Sequence, residues 1–220
     1  MLNILFEDNH VIVCLKPAGI LSQKDYTNQD SMVEILKEYL RMKYQKPGNI
    51  YLGLVHRLDR NTEGLMVFAK TSKAAARLSK DIQEHDFNKN YYAIVCGELK
   101  KSGKLINSLR KDENQNKSFI SERGKEAILE YKVVDIKDNN SLVDINLITG
   151  RHHQIRVQFS YLGFPLCGDI KYGAKALKEN HLALYAYNLR FFHPITKEEM
   201  NFSVTPKGKI WSDYFNLATK

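Results

Sequence analysis

The chain has 220 residues, of which 43% are hydrophobic, enough to bury a sizeable core and too many for a disordered polymer. With 33 Lys and Arg against 25 Asp and Glu, the formal net charge is +8, which favours polyanionic partners, nucleic acid being the commonest. The start, MLNILFEDNHVIVCLKP, carries acidic residues early and no basic segment before a long apolar run, so neither a secretory leader nor a bilayer span is expected, and the expected location is the cytoplasm.

Short apolar runs dominate. Val11-Ile12-Val13-Cys14-Leu15 ends at Lys16-Pro17-Ala18-Gly19 and predicts a buried strand followed by a turn. Ser31 with Glu34 forms a capping box, and Val33, Leu36, Tyr39 and Leu40 recur at helical spacing to about Tyr44, where Pro47-Gly48-Asn49 closes the helix. Residues 65–69 predict a second strand, and Ser72 to about His85 a second amphipathic helix with Ala75, Leu78 and Ile82 on one face. Further strands are expected near 91–96, 127–136, 142–148, 182–192 and 200–204. In 142–148, Val143, Ile145 and Leu147 alternate with Asp144 and Asn146, the pattern of a half-buried strand. His152 to Leu162 predicts a helix, with Gly163 and Pro165 as its stop. The polar stretch 100–126 predicts a long hairpin or a mobile loop. No linker divides the chain, and helices among mostly antiparallel strands without a βαβ rhythm predict a single α+β domain over 1–220.

Cys14, Cys96 and Cys167 stand far apart without a C-x-x-C pair, as small apolar residues of a reducing compartment do. His152 and His153 are adjacent, so on a helix they would point about 100° apart and share no metal. His10, His56, His85, His181 and His193 are scattered singly, and neither a metal site nor a Walker or Rossmann phosphate loop is expected.

The segment HRLDRNTEGLMVFAK, 56–70, sets Asp59 between Arg57 and Arg60. Cations beside a carboxylate favour its ionised form, suited to act as nucleophile, general base or electrostatic stabiliser. Taken alone, Asp59 reads more readily as a salt-bridged turn residue, Arg151 and Arg156 in TGRHHQIRVQFS as helix-surface cations, and Tyr91-Tyr92 as core aromatics rather than a stacking platform for a base.

Together these segments closely resemble the RluA-type RNA pseudouridine synthases. HRLDRNTEGLMVFAK resembles the family's His-Arg-Leu-Asp-Arg-x-Thr-x-Gly segment and the strand after it. LKPAG (15–19), KNYYAIVCG (89–97), GKEA (124–127), LITGRHHQIRVQFSYLGFPLCGDIKYG (147–173) and LALYAYNLRFFHP (182–194) resemble its other motifs, in order. The resemblance implies a bisected, mixed but largely antiparallel sheet flanked by helices and loops. It implies Asp59 as catalytic aspartate, Tyr91 stacked on the target uracil, and Arg156 paired with Asp59. Arg57 would enter the RNA stack where the flipped nucleotide had been, Leu184 would line the uracil pocket, and His56, Arg60 and Arg151 would contact substrate. The expected partner is ribosomal RNA, large subunit favoured, or transfer RNA. No cofactor, metal or membrane is expected, the chain would act as a monomer, and no S4-type RNA-binding domain fits ahead of LKPAG. Glu63 replaces the usual Ser, His152 the usual Thr, Gln158 and Tyr185 the usual His, and Ser108 a common Pro; these put substrate contacts in question more than the reaction. A non-catalytic RNA-binding or ribosome-assembly factor on the same fold is the alternative, and a hydrolase or glycosylase that releases uracil a third.

Overall fold

The computed structural model describes residues 2–25, 29–45, 47–177 and 182–215; His181 lies outside them. Its strands in chain order are β1 Asn3–Glu7, β2 Val11–Lys16, β3 Gly53–Leu54, β4 Glu63–Ala69, β5 Asn88–Cys96, β6 Gly103–Asp112, β7 Lys117–Ile120, β8 Lys125–Lys137, β9 Asn140–Leu147, β10 Leu184–Phe192 and β11 Glu199–Ser203. Its helices are α1 Met32–Tyr44, α2 Ser72–Gln83, α3 Gln154–Tyr161 and α4 Lys209–Phe215. The chain is α+β, as expected, and divides into two compact units: Met1–Phe87 with Asn188–Val204, and Asn88–Tyr187 with Thr205–Lys220. No helix among the described residues is long and apolar enough to cross a membrane.

In the first unit the strand order is β1-β2-β4-β10, with β11 on β10 and β3 on β4. The registered pairs are antiparallel, Val11 opposite Ala69 and Lys16 opposite Gly64. Val11, Val13, Leu65, Val67, Ala69, Leu189 and Phe191 pack against Ala74, Leu78 and Phe87. Thr71 caps α2, its hydroxyl accepting the Ala74 N–H at 3.1 Å. The capping box at α1 takes another form: the Ser31 side chain bonds the Glu34 carboxylate and makes no bond to a backbone amide. Glu7, at the end of β1, is a hub. Its carboxylate accepts from Tyr39 at 2.9 Å, Lys43 at 2.8 Å, Tyr44 at 2.6 Å and Lys70 at 2.8 Å.

The second unit has the order β10-β5-β9-β8-β6-β7, with Leu184–Tyr187 of β10. In β8, Ala127, Leu129 and Tyr131 alternate inward and are buried, the period-two pattern of a strand with one covered face. The polar stretch 100–126 is a hairpin, β6 paired with β7 from Leu109–Ile120 to Asp112–Lys117. Its tip is closed by the Asp112 carboxylate, which accepts the N–H groups of Asn114 at 2.9 Å and Gln115 at 3.1 Å. Gly124 sits where a Cβ would lie 2.5 Å from the Leu109 backbone, so only glycine lets β8 begin against β6.

One expectation is corrected here. His153 has φ +53 and precedes α3 instead of lying within it. The two imidazoles therefore stack at 3.8 Å, where a helix would have splayed them. Cys96 and Cys167, distant in sequence, bring their sulfurs to 2.7 Å as free thiols, and burial together with the neighbouring thiol pushes the Cys167 pKa up. The sequence reading also missed β1, β3 and α4, all too short to show a period.

Burial pushes the Glu7 pKa up, but the bonds from Lys43, Lys70, Tyr44 and Tyr39 outweigh it and bring it down to about 2 from 4.5. A carboxylate lowered this way stabilises the fold above its unfolded value, and the contribution disappears as pH falls through the folded one. Urea unfolding from pH 7 to pH 2 will show the Glu7→Gln variant less stable at pH 7 by about 2–3 kcal/mol, with a flatter loss of stability below pH 4.5 than the parent.

Candidate active site

In the first unit, His56, Arg57, Asp59 and Arg60 lie on one loop between β3 and β4, and this loop is fastened to the turn that follows β2. Leu58 is buried and carries the anchor: Ser22 Oγ donates to its carbonyl at 2.8 Å and accepts its N–H at 3.1 Å. The Gly19 N–H donates to the Arg60 carbonyl at 2.9 Å, and Arg60 Nε returns a bond to the Gly19 carbonyl at 3.0 Å. The Thr62 N–H closes the turn on the Asp59 carbonyl at 3.0 Å. Gly64, the second residue of β4, has φ +137, a backbone region that a side chain would strain. His56 Nε2 accepts the Val67 N–H at 3.1 Å, so its ring also braces β4.

The sequence reading surrounded Asp59 with Arg57 and Arg60. Both are exposed, whereas Asp59 is half-buried. The buried cation that feels Asp59 is one that reading passed over. Lys16, the last residue of β2, has no exposed surface and donates all three ammonium hydrogens to carbonyls: Pro17 at 2.9 Å, Ile20 at 2.7 Å and Arg60 at 2.9 Å. Burial pushes its pKa down to about 8; the negative charges of Asp59 and Glu63 oppose that shift, and Arg60 adds to it. The only hint in the sequence is a lysine that ends an otherwise apolar strand.

In the second unit, Tyr91 is the fourth residue of β5, opposite Ile145 of β9, and is 5% exposed. It does not head its strand, because Asn90 already pairs with Asn146. Tyr92 points to the other face, stacked at 3.9 Å on Tyr187, whose hydroxyl donates to Asp144 at 2.9 Å. Leu184, also buried, opens β10, the strand beside β5. Gln154 builds the turn ahead of α3: its carboxamide oxygen accepts from Thr149 Oγ1 at 2.8 Å and the Arg151 N–H at 3.0 Å, and its nitrogen donates to the Ile128 carbonyl at 3.1 Å. Exposed Arg151 donates through Nε to the Glu126 carbonyl at 2.8 Å. Arg156, the third residue of α3, grips Asp169 with two bonds, Nε at 2.7 Å and Nη2 at 2.8 Å. Asp169 is 2% exposed. Lys89 lies under this turn, where a Cβ on Gly150 would come 3.5 Å from its Nζ, and burial pushes its pKa down.

Two departures from the family pattern prove to be interior residues. Gln158 is 1% exposed and donates to Asn107 at 2.8 Å and to the Ala127 carbonyl at 3.1 Å. Tyr185 is 3% exposed and meets Trp211 edge-on at 6.2 Å. Both side chains make contacts within the second unit.

A Lys16→Met variant leaves three buried carbonyls without their donor, and urea unfolding at pH 7 will show it less stable by about 3 kcal/mol. Between pH 8 and 10.5 the unfolded parent holds a proton on Lys16 that the folded chain has released, so this group's contribution to stability rises with pH in that window. The rise will be absent from the variant.

A family model described as RNA pseudouridylate synthase matches residues 10–161, which contain the Asp59 loop, Tyr91 and Arg156. The uncharacterized RNA pseudouridine synthase YhcT of Bacillus subtilis is 38% identical over 202 residues, covering 90% of this chain and 66% of its own length. The ribosomal large subunit pseudouridine synthase D of Zymomonas mobilis is 36% identical over 216 residues, covering 91% of this chain and 68% of its own. The chain thus spans about two thirds of the length of these curated relatives. The solved structure of human RNA pseudouridylate synthase domain containing 4 has the same fold, with a TM-score of 0.76 at 24% identity, covering 95% of this chain and 90% of that one. The chain belongs to the RNA pseudouridylate synthase family.

Proposed function

We propose that this protein isomerises a uridine of ribosomal RNA to pseudouridine, with Asp59 as its catalytic carboxylate. Relatives named for the large ribosomal subunit favour that RNA over transfer RNA. The observation that carries the reading is the bracing of the Asp59 loop. Backbone bonds on both sides fix the loop that carries this half-buried residue, and a wholly buried ammonium feels its charge. A salt-bridged turn residue at the surface needs none of this.

The chemistry fits such a group. The C1′–N1 bond of uridine breaks, the uracil turns, and C5 bonds to C1′; the C5 proton departs and N1 takes up a proton, so no oxidant, reductant or water is consumed. The target base is first extruded from its stack at about a few kcal/mol. Tyr91 offers a ring for the extruded base, worth about 1–3 kcal/mol of stacking, and Leu184 an apolar wall. Exposed Arg57, with its planar guanidinium, replaces the stacking lost in the RNA. Arg156 supplies the positive counter-charge, and Arg60 and Arg151 add to a basic surface for phosphates.

The test uses a large-subunit ribosomal RNA transcript tritiated at uridine C5, with tritium release as readout. Asp59→Asn will lower the single-turnover rate by about 10³-fold or more while RNA affinity stays within about threefold. Equal release by parent and variant removes Asp59 from the mechanism. Tight binding without release by the parent indicates a binding factor, and free uracil a glycosylase. Affinity of the parent will fall by at least about tenfold between 50 and 200 mM salt, as counterions released at phosphate contacts require; filter binding checks this.

A further inference from the structure

Arg156 is held more completely than a counter-charge needs to be. Its bidentate pairing with Asp169 uses the Nε–Nη2 edge. Its guanidinium carbon lies 5.0 Å from the centre of the Tyr172 ring, so one edge and one face are both occupied. A planar group fixed along an edge and across a face has no rotation left, and its Nη1 side points in one direction.

Tyr172 is itself anchored, and to a distant part of the second unit. Its hydroxyl accepts the N–H of Ser118, on β7, at 2.8 Å. It also shares a 2.9 Å bond with His153 Nδ1. Burial, helped by the charges of Arg156, His152, Lys171 and Lys111, pushes the His153 pKa down to about 2, so the imidazole that shares this bond is neutral. Ser118 Oγ lies 2.9 Å from His152 Nδ1, Lys117 Nζ stands over the Tyr172 ring, 5.1 Å from its centre, and Lys171 Nζ donates to the Asn116 carbonyl at 3.1 Å. The β6–β7 hairpin is therefore latched to the residues that hold Arg156. Outside the latch, its Arg110 and Phe119 are exposed.

We propose that Asp169 and Tyr172 are positioning residues that fix the guanidinium of Arg156 for the reaction, and that Tyr172 ties this placement to the β6–β7 hairpin through Ser118. The proposal rests on the reading above that Arg156 acts in the isomerisation. A purely structural ion pair explains the geometry less well, because stability alone is served as well by apolar residues of similar volume as by a buried pair. It also gives no reason for the tyrosine to bond the hairpin.

The experiment is a double-mutant cycle on the C5-tritiated large-subunit ribosomal RNA transcript, reading single-turnover tritium release, RNA affinity and thermal midpoint. Asp169→Asn is expected to slow release by about 10²-fold and Tyr172→Phe by about tenfold, each with RNA affinity within about threefold of the parent. Placed on Arg156→Lys, neither is expected to cost more than about a further twofold, since a residue that acts through Arg156 has little left to lose. Full rates in both single variants, or effects that multiply on Arg156→Lys, overturn the proposal. If Arg156→Lys itself keeps the parental rate, the assignment of Arg156 fails instead, which is a different result. Should Asp169→Asn not fold, Tyr172→Phe, which removes one oxygen atom, carries the cycle alone. Amide hydrogen exchange tests the latch separately. The Ser118 amide will exchange faster in Tyr172→Phe than in the parent, and an unchanged rate there refutes the tie to the hairpin.

Discussion

The Asp59 loop depends on one buried ammonium. Lys16 ends β2 with three hydrogens, and three carbonyls from two separate stretches of chain take them. Neutral acceptors of this kind do not cancel the charge; they replace the water that burial removes. The depressed pKa, about 8, records that this replacement is incomplete. The remaining attraction comes from Asp59 and Glu63, so the fold holds its cation partly on the field of the carboxylate it helps to seat. Glu63 thus adds a second negative charge to the environment of Lys16.

The second unit meets the same problem differently. Arg156 is desolvated against an ionised partner, Asp169, and an aromatic face, Tyr172. The chemistry of each cation matches its setting. A compact ammonium suits three carbonyls converging on a point, whereas a planar fork suits one carboxylate and one ring. Exchanging the two would leave the carbonyls facing a group too broad to enter and the carboxylate with half its bonds.

Much of this was legible in the sequence. Apolar periodicity placed α1 and α2 within a few residues, and β4, β5, β8, β9 and β10 followed from short Val-, Ile- and Leu-rich runs. The order of motifs pointed to Asp59, Tyr91 and Arg156. What escaped were residues whose role lies in where their polar atoms go. Lys16, Ser22, Gln154, Asp169 and Tyr172 bond groups 13 to 44 positions away or further round the chain, and no local pattern announces such partners. His153 shows the limit from the other side. The period argued for a helix, but a left-handed residue starts it later and turns two splayed imidazoles into a stacked pair. The stretch 100–126 left hairpin and mobile loop open because its polar composition fits both; the Asp112 turn and pairing with β8 decide for the hairpin.

Gly124 makes the base of that hairpin a fixed stop. With no room for even a methyl group between it and Leu109, the two strands can meet at this point in one alignment only. The tip around 112–117 closes on its own local bonds and also accepts from Lys171, whose Nζ donates to the Asn116 carbonyl at 3.1 Å. A change of length at the far end would shift that contact while leaving the Gly124 seat in place, so backbone sterics fix where this arm is rooted and side-chain bonds fix where it ends.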